Sequence, residues 1–112
     1  MTPSKADIWL VNLGGAMGHE QKKERPAIMW RDMDHMGLAI LVPLTSKIER
    51  SKLPHTYVVS PSLKNGLDHE SVALIYQITT VDKKLRFVRK LGELEETDIK
   101  AIAGLIKDML KL

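Results

Sequence analysis

Leu38-Ala39-Ile40-Leu41-Val42-Pro43-Leu44-Thr45 holds the longest unbroken apolar run of the chain. It is far shorter than the roughly 20 residues of a membrane helix, and too continuous for a strand with one wet face. A strand buried on both faces fits. Pro43 has no N–H to give a ladder, so a bulge or an edge position is expected near the strand's end. Upstream, Asp7 to Leu13 (DIWLVNL) reads as a strand stopped by Gly14 and Gly15, and Gly14, Gly15 and Gly18 mark a loop. Pro26 steers Arg25 away from helical geometry, so an extended segment from Pro26 to Trp30 should begin by holding one guanidinium still. Downstream, Thr56 to Ser60 is a β-branched strand. Pro61 to Gly66 (PSLKNG) is turn chemistry, with Asn65-Gly66 the expected left-handed pair. Ser71 to Ile78 (SVALIYQI) alternates two largely apolar faces and should be central in a sheet.

The period then changes. Ile99, Ile102, Ala103, Ile106, Met109 and Leu110 recur at three and four, which predicts an amphipathic helix from about Glu95 to Leu110. Acids at its start and Lys107 and Lys111 at its end suit the helix dipole. Several short strands without intervening helices favour a small antiparallel barrel over a parallel sheet. The fold class expected is mainly β with a C-terminal α-helix, as one domain over residues 1–112.

Composition bounds the chemistry. At 112 residues, 44% hydrophobic and 28% charged, the chain is long enough for one core and unlike a disordered sequence. It has no cysteine, which excludes disulfides, thiolate zinc sites and cysteine nucleophiles. No basic-then-apolar secretion signal opens the sequence, and the expected location is cytoplasmic, away from membranes. The net charge of +3 favours polyanions without requiring them. Its distribution says more: Lys83, Lys84, Arg86, Arg89 and Lys90 fall in one acid-free stretch, followed closely by Glu93, Glu95, Glu96 and Asp98.

Most motifs of active sites are absent. The glycines of Gly14 to Gly18 (GGAMG) lack dinucleotide-fingerprint spacing and the Lys-Ser/Thr of a P-loop, so a plain turn is expected. Asp32-Met33-Asp34-His35 brings hard ligands together, but nothing completes a metal set, since His19, His55 and His69 are scattered. No metal and no cofactor is expected. No nucleophile elbow is present. The densest polar constellation is Gly18-His19-Glu20-Gln21-Lys22-Lys23-Glu24-Arg25-Pro26, at a loop-to-strand junction. Alone it reads as a solvated loop. Pro43-Leu44-Thr45-Ser46 and Gln77-Ile78-Thr79-Thr80-Val81-Asp82-Lys83 add polar groups at strand ends, where rigid scaffolds present function.

Taken in order and spacing, these segments resemble the MazF/PemK (Kid, CcdB-like) toxins of bacterial toxin-antitoxin pairs. The markers are Asp7-Ile8-Trp9-Leu10-Val11, Gly18-His19-Glu20-Gln21 with Arg25-Pro26, and Val42-Pro43-Leu44-Thr45-Ser46. Glu70-Ser71-Val72 through Gln77, Thr80, Val81, Asp82 and Lys83, and the closing helix, complete them. The resemblance implies an SH3-like barrel, a homodimer with single-stranded RNA across its interface, and a cognate antitoxin. It also implies metal-free cleavage of mRNA leaving a cyclic phosphate and a 5′-hydroxyl.

RNA carries its own nucleophile, the 2′-hydroxyl, so such an enzyme needs only proton transfer and charge stabilisation. A planar guanidinium gives two hydrogen bonds to the oxygens that gain charge at phosphorus, and Arg25 fits that role. The resemblance places the family's catalytic threonine at Thr45. An arginine is a poor base at neutral pH; chemistry nominates His19 for proton transfer, and one branch of the family uses the matching histidine. Glu20, Gln21, Lys22, Lys23, Ser46, Gln77 and Thr79 complete the expected RNA-binding set, with Gln21, Ser46 and Gln77 reading base edges or sugar and Lys22 and Lys23 holding phosphate. The basic run from Lys83 to Lys90 is expected to extend that track or to meet the antitoxin. Each catalytic candidate also has an ordinary structural reading. His19 would bond to loop backbone, Thr45 would cap its own turn, and Arg25 would pair with Glu20 or Glu24. Departures from the family are Thr79 where many relatives carry arginine, Leu74 and Tyr76 in place of one branch's Arg and Asp, Ala6 for a common glycine, and a short Arg31 to Gly37 loop. The competing functions are a non-catalytic RNA- or peptide-binding module, and a gyrase poison on the same barrel. The chain's end, Lys107 to Leu112, has no tryptophan of the kind the gyrase poisons use.

Overall fold

A computed structural model of the chain describes residues 6–13 and 24–112. Its strands are β1 (Asp7–Asn12), β2 (Glu24–Met33), β3 (Leu38–Thr45), β4 (Thr56–Val59), β5 (Ser71–Leu74), β6 (Thr79–Asp82) and β7 (Phe87–Glu93). A single helical turn, α1 (Lys83–Arg86), precedes β7, and α2 (Glu96–Leu110) follows it. The strands make one curled, barrel-like antiparallel sheet in the order β4-β5-β3-β2-β1-β7, with β6 also on β3.

The strand of continuous apolar residues is the hub. β3 pairs with β2 on one side, and on the other with β6 at Leu38 to Leu41 and β5 at Leu44 and Thr45. Pro43 is therefore on neither an edge strand nor a bulge, as its missing N–H suggested. It falls in the gap where β3 exchanges β6 for β5. The break in the β2–β3 register lies elsewhere, between Met29 and Arg31.

Alternation across β1, β2 and β3 sorts two cores. Ile8, Ile28 and Val42 share one register row and, with Leu44, Ala73, Ile75, Leu94 and Ile102, form the main core. The other face carries Val11, Ala27 and Leu41, covered by Trp9, Val81 and Phe87, with the Trp9 and Phe87 rings 5.1 Å apart. Trp9 and Phe87 thus serve as packing residues of this second core.

Helix α2 caps the main core through Ile102, fully buried, with Ile99, Leu105, Ile106 and Met109 around it. Leu105 takes the place expected of Leu110, which is 53% exposed. Two hydrogen bonds fix the helix start: Tyr57 Oη donates to Asp98 at 2.6 Å, and Ser62 Oγ to Glu95 at 2.7 Å. Among the described residues, no helix is long and apolar enough to cross a membrane.

The strand expected over Ser71 to Ile78 stops at Leu74, and Ile75–Gln77 form a 3-10 turn. Burial on both faces up to Ile75 looks the same from sequence in a strand or a tight turn. The Asn65-Gly66 pair is also half corrected. Gly66 is left-handed at φ +69°, but Asn65 is not. Its fully buried side chain instead knits the turn, accepting from the N–H groups of Ser62 and Leu67 and donating to the Ser60 carbonyl.

That turn closes the barrel. Glu93 N–H donates to the Lys64 carbonyl at 2.9 Å, bringing the turn against β7. Gly66 and Gly92 make the approach possible. A Cβ on Gly92 would fall 2.4 Å from the Lys64 oxygen, and one on Gly66 2.2 Å from the Leu91 oxygen. Ala6 has φ +74°. Its N–H donates to Met29 and its carbonyl accepts from Leu94, tying the start of β1 to both neighbours.

Candidate functional site

The middle of β1 and β7, the start of β2, the end of β3, the start of β5 and the segment after Gly66 surround a cleft of about 420 Å³. Arg25 lies on its wall beside Pro26. It is opposite Val11 in the β1–β2 ladder, and the β2–β3 register, carried two residues past Ala27 and Pro43, sets it opposite Thr45. The sequence order Arg-Pro in one strand and Pro-Leu-Thr in the next thus becomes a spatial pair. Arg25 is half-buried and, among the described residues, makes no ion pair. In particular it has no ion pair with Glu24.

Thr45 is buried at 7% exposure, and its Oγ1 accepts from the Lys47 N–H at 3.2 Å. The capping role open to a strand-end threonine is therefore present. It occupies an acceptor position of the hydroxyl and leaves the O–H to donate. Ser46, exposed, follows at the rim.

Three of the residues singled out from sequence are brought together: Arg25, Thr45 and Ser46. Gln77 and Thr79 do not line this cleft. Gln77 is exposed at the end of the 3-10 turn. Thr79 pairs with Leu41, four residues along β3 from Thr45, or about 13 Å at 3.3 Å per residue. The expected contributions of His19, Glu20, Gln21, Lys22 and Lys23, and of the glycine loop, lie outside the described residues. Leu74 is core, and Tyr76 meets Arg50 at 3.5 Å.

Three further groups on the cleft wall, Lys47, Asp68 and His69, were not expected from the sequence, and Arg89 joins them there. His69 was set aside with the scattered histidines, although it lies in a short polar segment between a turn and a buried strand, where scaffolds display side chains. Arg89 belongs to the basic run from Lys83 to Lys90, expected to extend the RNA track or to meet the antitoxin. The structure divides that run. Lys83 sits between Asp32, at 2.7 Å, and Asp34, while Lys90 pairs with Asp7 and Glu93. These carboxylates raise the Lys83 pKa, and Lys83 lowers that of Asp34. The Asp32-Met33-Asp34-His35 cluster is thereby committed to an ammonium group. Arg89, opposite Leu10 in β1, is left facing the cleft.

The wall thus carries three cations, Arg25, Lys47 and Arg89, beside Glu24 and Asp68, one imidazole and the Thr45, Ser46 and Ser71 hydroxyls. Such a set binds an anionic ester and offers donors to oxygens that gain charge.

Comparison with solved structures finds the same fold. A MazF from Deinococcus radiodurans superposes with a TM-score of 0.78 at 22% identity, over 100% of this chain and 99% of that one. An endoribonuclease in complex with its cognate antitoxin, from a mycobacterial species, gives 0.77 at 20% identity, over 99% and 97%. The Mycobacterium tuberculosis toxin MazF-mt6 gives 0.74 at 21%, over 95% and 97%. A family model matches residues 4–110, nearly the whole sequence. The chain belongs to the PemK-like, MazF-like toxins of type II toxin-antitoxin systems.

Proposed function

We propose that this toxin is a sequence-selective, metal-independent endoribonuclease acting on single-stranded mRNA in the cytoplasm, with the cleft at the ends of β2 and β3 as its active site. The observation that carries the reading is the meeting of Arg25, free of any described carboxylate partner, with Thr45, whose O–H is available, in one cationic cleft. The 2′-hydroxyl oxygen attacks the adjacent phosphorus, the bond to O5′ breaks, and a 2′,3′-cyclic phosphate and a 5′-hydroxyl result. The equatorial oxygens gain charge on the way. Arg25 offers them two parallel N–H donors, and Thr45 a third.

Lys47 and Arg89 extend the phosphate track on either side, and Ser46 at the rim hydrogen-bonds sugar or base. His19 remains a candidate for proton transfer, with Glu20, Gln21, Lys22 and Lys23 as further contacts. Gln77 and Thr79, beyond the cleft, contact nucleotides flanking the cut. The toxin acts as a homodimer and is neutralised by a cognate antitoxin. Support for the last point is that a fold neighbour was solved with its cognate antitoxin.

The test uses a long single-stranded RNA in EDTA to map cut sites, then a short RNA spanning one cut with a single 2′-deoxy nucleotide on its 5′ side. The reading predicts discrete cuts in the first and none at that position in the second, with binding retained. Cleavage of the deoxy substrate would mean that water, not the 2′-oxygen, is the nucleophile.

A further inference from the structure

Arg25 and Thr45 stabilise charge, but neither readily gives up a proton near pH 7, and the departing O5′ needs one. Among the described residues of the cleft, the charged groups on the wall are Glu24 from β2, Lys47 after β3, Asp68 in the turn and Arg89 from β7, besides Arg25 itself. Ionised carboxylates only accept; guanidinium and ammonium groups hold their protons too tightly to release them efficiently. One other lining side chain, His69, is an imidazole, the side-chain type used most often for general acid–base transfer.

His69 is also held in place. It lies two residues after the buried Leu67, whose N–H is bound by the buried Asn65 side chain. The His69 carbonyl accepts from Ser71 Oγ at 3.2 Å, at the start of β5. The turn behind it is seated on β7 through Gly66 and Gly92. A backbone so mounted sets the exposed His69 side chain on the cleft wall.

Building on the ribonuclease reading, we propose that His69 is the general acid of the cleavage, a catalytic residue that protonates O5′ as the P–O5′ bond breaks. In that step the O2′–P bond forms, the 2′-hydroxyl proton passes to a cleft carboxylate, and the imidazolium proton moves to O5′. The imidazole is then neutral and recovers its proton from solvent as the carboxylate releases one.

The test is single-turnover cleavage by wild type and His69→Gln of a short RNA and of its analogue with sulfur replacing the bridging O5′, whose thiolate leaves without a proton. His69→Gln should cut the oxygen substrate about 100-fold or more slowly, with RNA affinity within threefold of wild type. It should cut the sulfur substrate within tenfold of the wild-type rate. The pH–rate profile on the oxygen substrate should lose its alkaline limb in the variant. Equal slowing on both substrates would make His69 a positioning residue and overturn the proposal, as would full activity on the oxygen substrate. Wild-type protein that leaves both intact would overturn the ribonuclease reading itself.

Discussion

Replacing Gly92 with alanine tests how the cleft is held. The added Cβ would lie 2.4 Å from the Lys64 oxygen and 2.5 and 2.6 Å from the carbonyl carbon and oxygen of Asn65, all backbone atoms. No rotamer relieves this. Ordinary contact begins near 3.4 Å, so turn and strand must part by about 1 Å. The Glu93 to Lys64 hydrogen bond, 2.9 Å long, then opens beyond hydrogen-bonding range. Its loss costs about 1 kcal/mol. The same retreat loosens the buried Asn65 network and the seat of Leu67, for a further ~1–3 kcal/mol. The reduced freedom of the unfolded alanine chain returns about 0.5 kcal/mol. The net loss is roughly 1.5–3.5 kcal/mol, and at about 4 °C per kcal/mol for a domain of this size Tm should fall by roughly 6–14 °C. Thermal unfolding followed by circular dichroism, with urea titration to check that the m-value is unchanged, measures it. A Gly92→Ala protein melting within 2 °C of wild type would refute the close-approach argument, and with it the claim that this contact seats Asp68 and His69.

Three further predictions rest on local chemistry. Gly104→Ala places its Cβ in open space on an exposed face of α2, and should stabilise the fold by about 0.5–1 kcal/mol, read by urea unfolding; destabilisation would contradict the helix assignment there. Ala6→Gly relieves a left-handed alanine at φ +74°, worth about 1–2 kcal/mol, but gives up about 0.5–1 kcal/mol of backbone entropy and a buried methyl worth about 0.8 kcal/mol, so its stability should stay within about 1 kcal/mol of wild type. A larger loss in Ala6→Gly would show that the position is unstrained. The hydrogen bond to Asp98, aided by burial and by the carboxylate's charge, raises the Tyr57 pKa from 10.0 to about 12. Folding thus favours its protonated form, so this stabilisation is complete below pH 10 and is lost as pH climbs towards 12. Tyr57→Phe should cost about 1 kcal/mol at pH 7 and show a shallower alkaline decline than wild type, part of the decline persisting through Lys83, whose pKa is raised too. Parallel alkaline curves would remove Tyr57 from the linkage.

The strands legible in the sequence were those whose burial is one continuous or alternating pattern: β1, β3 and β4 agree with their expected spans to within a residue, and α2 likewise. β6 and β7 carried no such signal. β6 pairs only with β3, and β7 ends the sheet order. Edge strands are held through one side and tolerate exposed charge, so Arg89 and Lys90 read as a basic run rather than as a strand. The cleft was legible in part for a related reason. Arg25 directly precedes Pro26 near the start of β2 and Thr45 follows Pro43 by two residues at the end of β3, whereas Lys47, His69 and Arg89 enter through curvature and barrel closure, which depend on Gly66 meeting Gly92 across 26 residues of sequence. Nothing local to His69 announces that meeting. The aspartates near His35 illustrate the converse, since their close spacing suggested a ligand set and tertiary structure supplied Lys83 instead.

The central claim is that Arg25 stabilises the transition state of a metal-independent RNA cleavage. Its most direct test is the single-turnover rate of wild type and Arg25→Ala on one mapped RNA in EDTA, with RNA affinity measured in parallel and the new ends identified chemically. The account predicts cyclic-phosphate and 5′-hydroxyl ends from wild type, and a loss in Arg25→Ala of about 100- to 1,000-fold, or roughly 2.7–4 kcal/mol in activation free energy, with affinity changed only a few-fold. An Arg25→Ala protein that cuts at the wild-type rate, or a wild type that binds this RNA and leaves it intact, would contradict it.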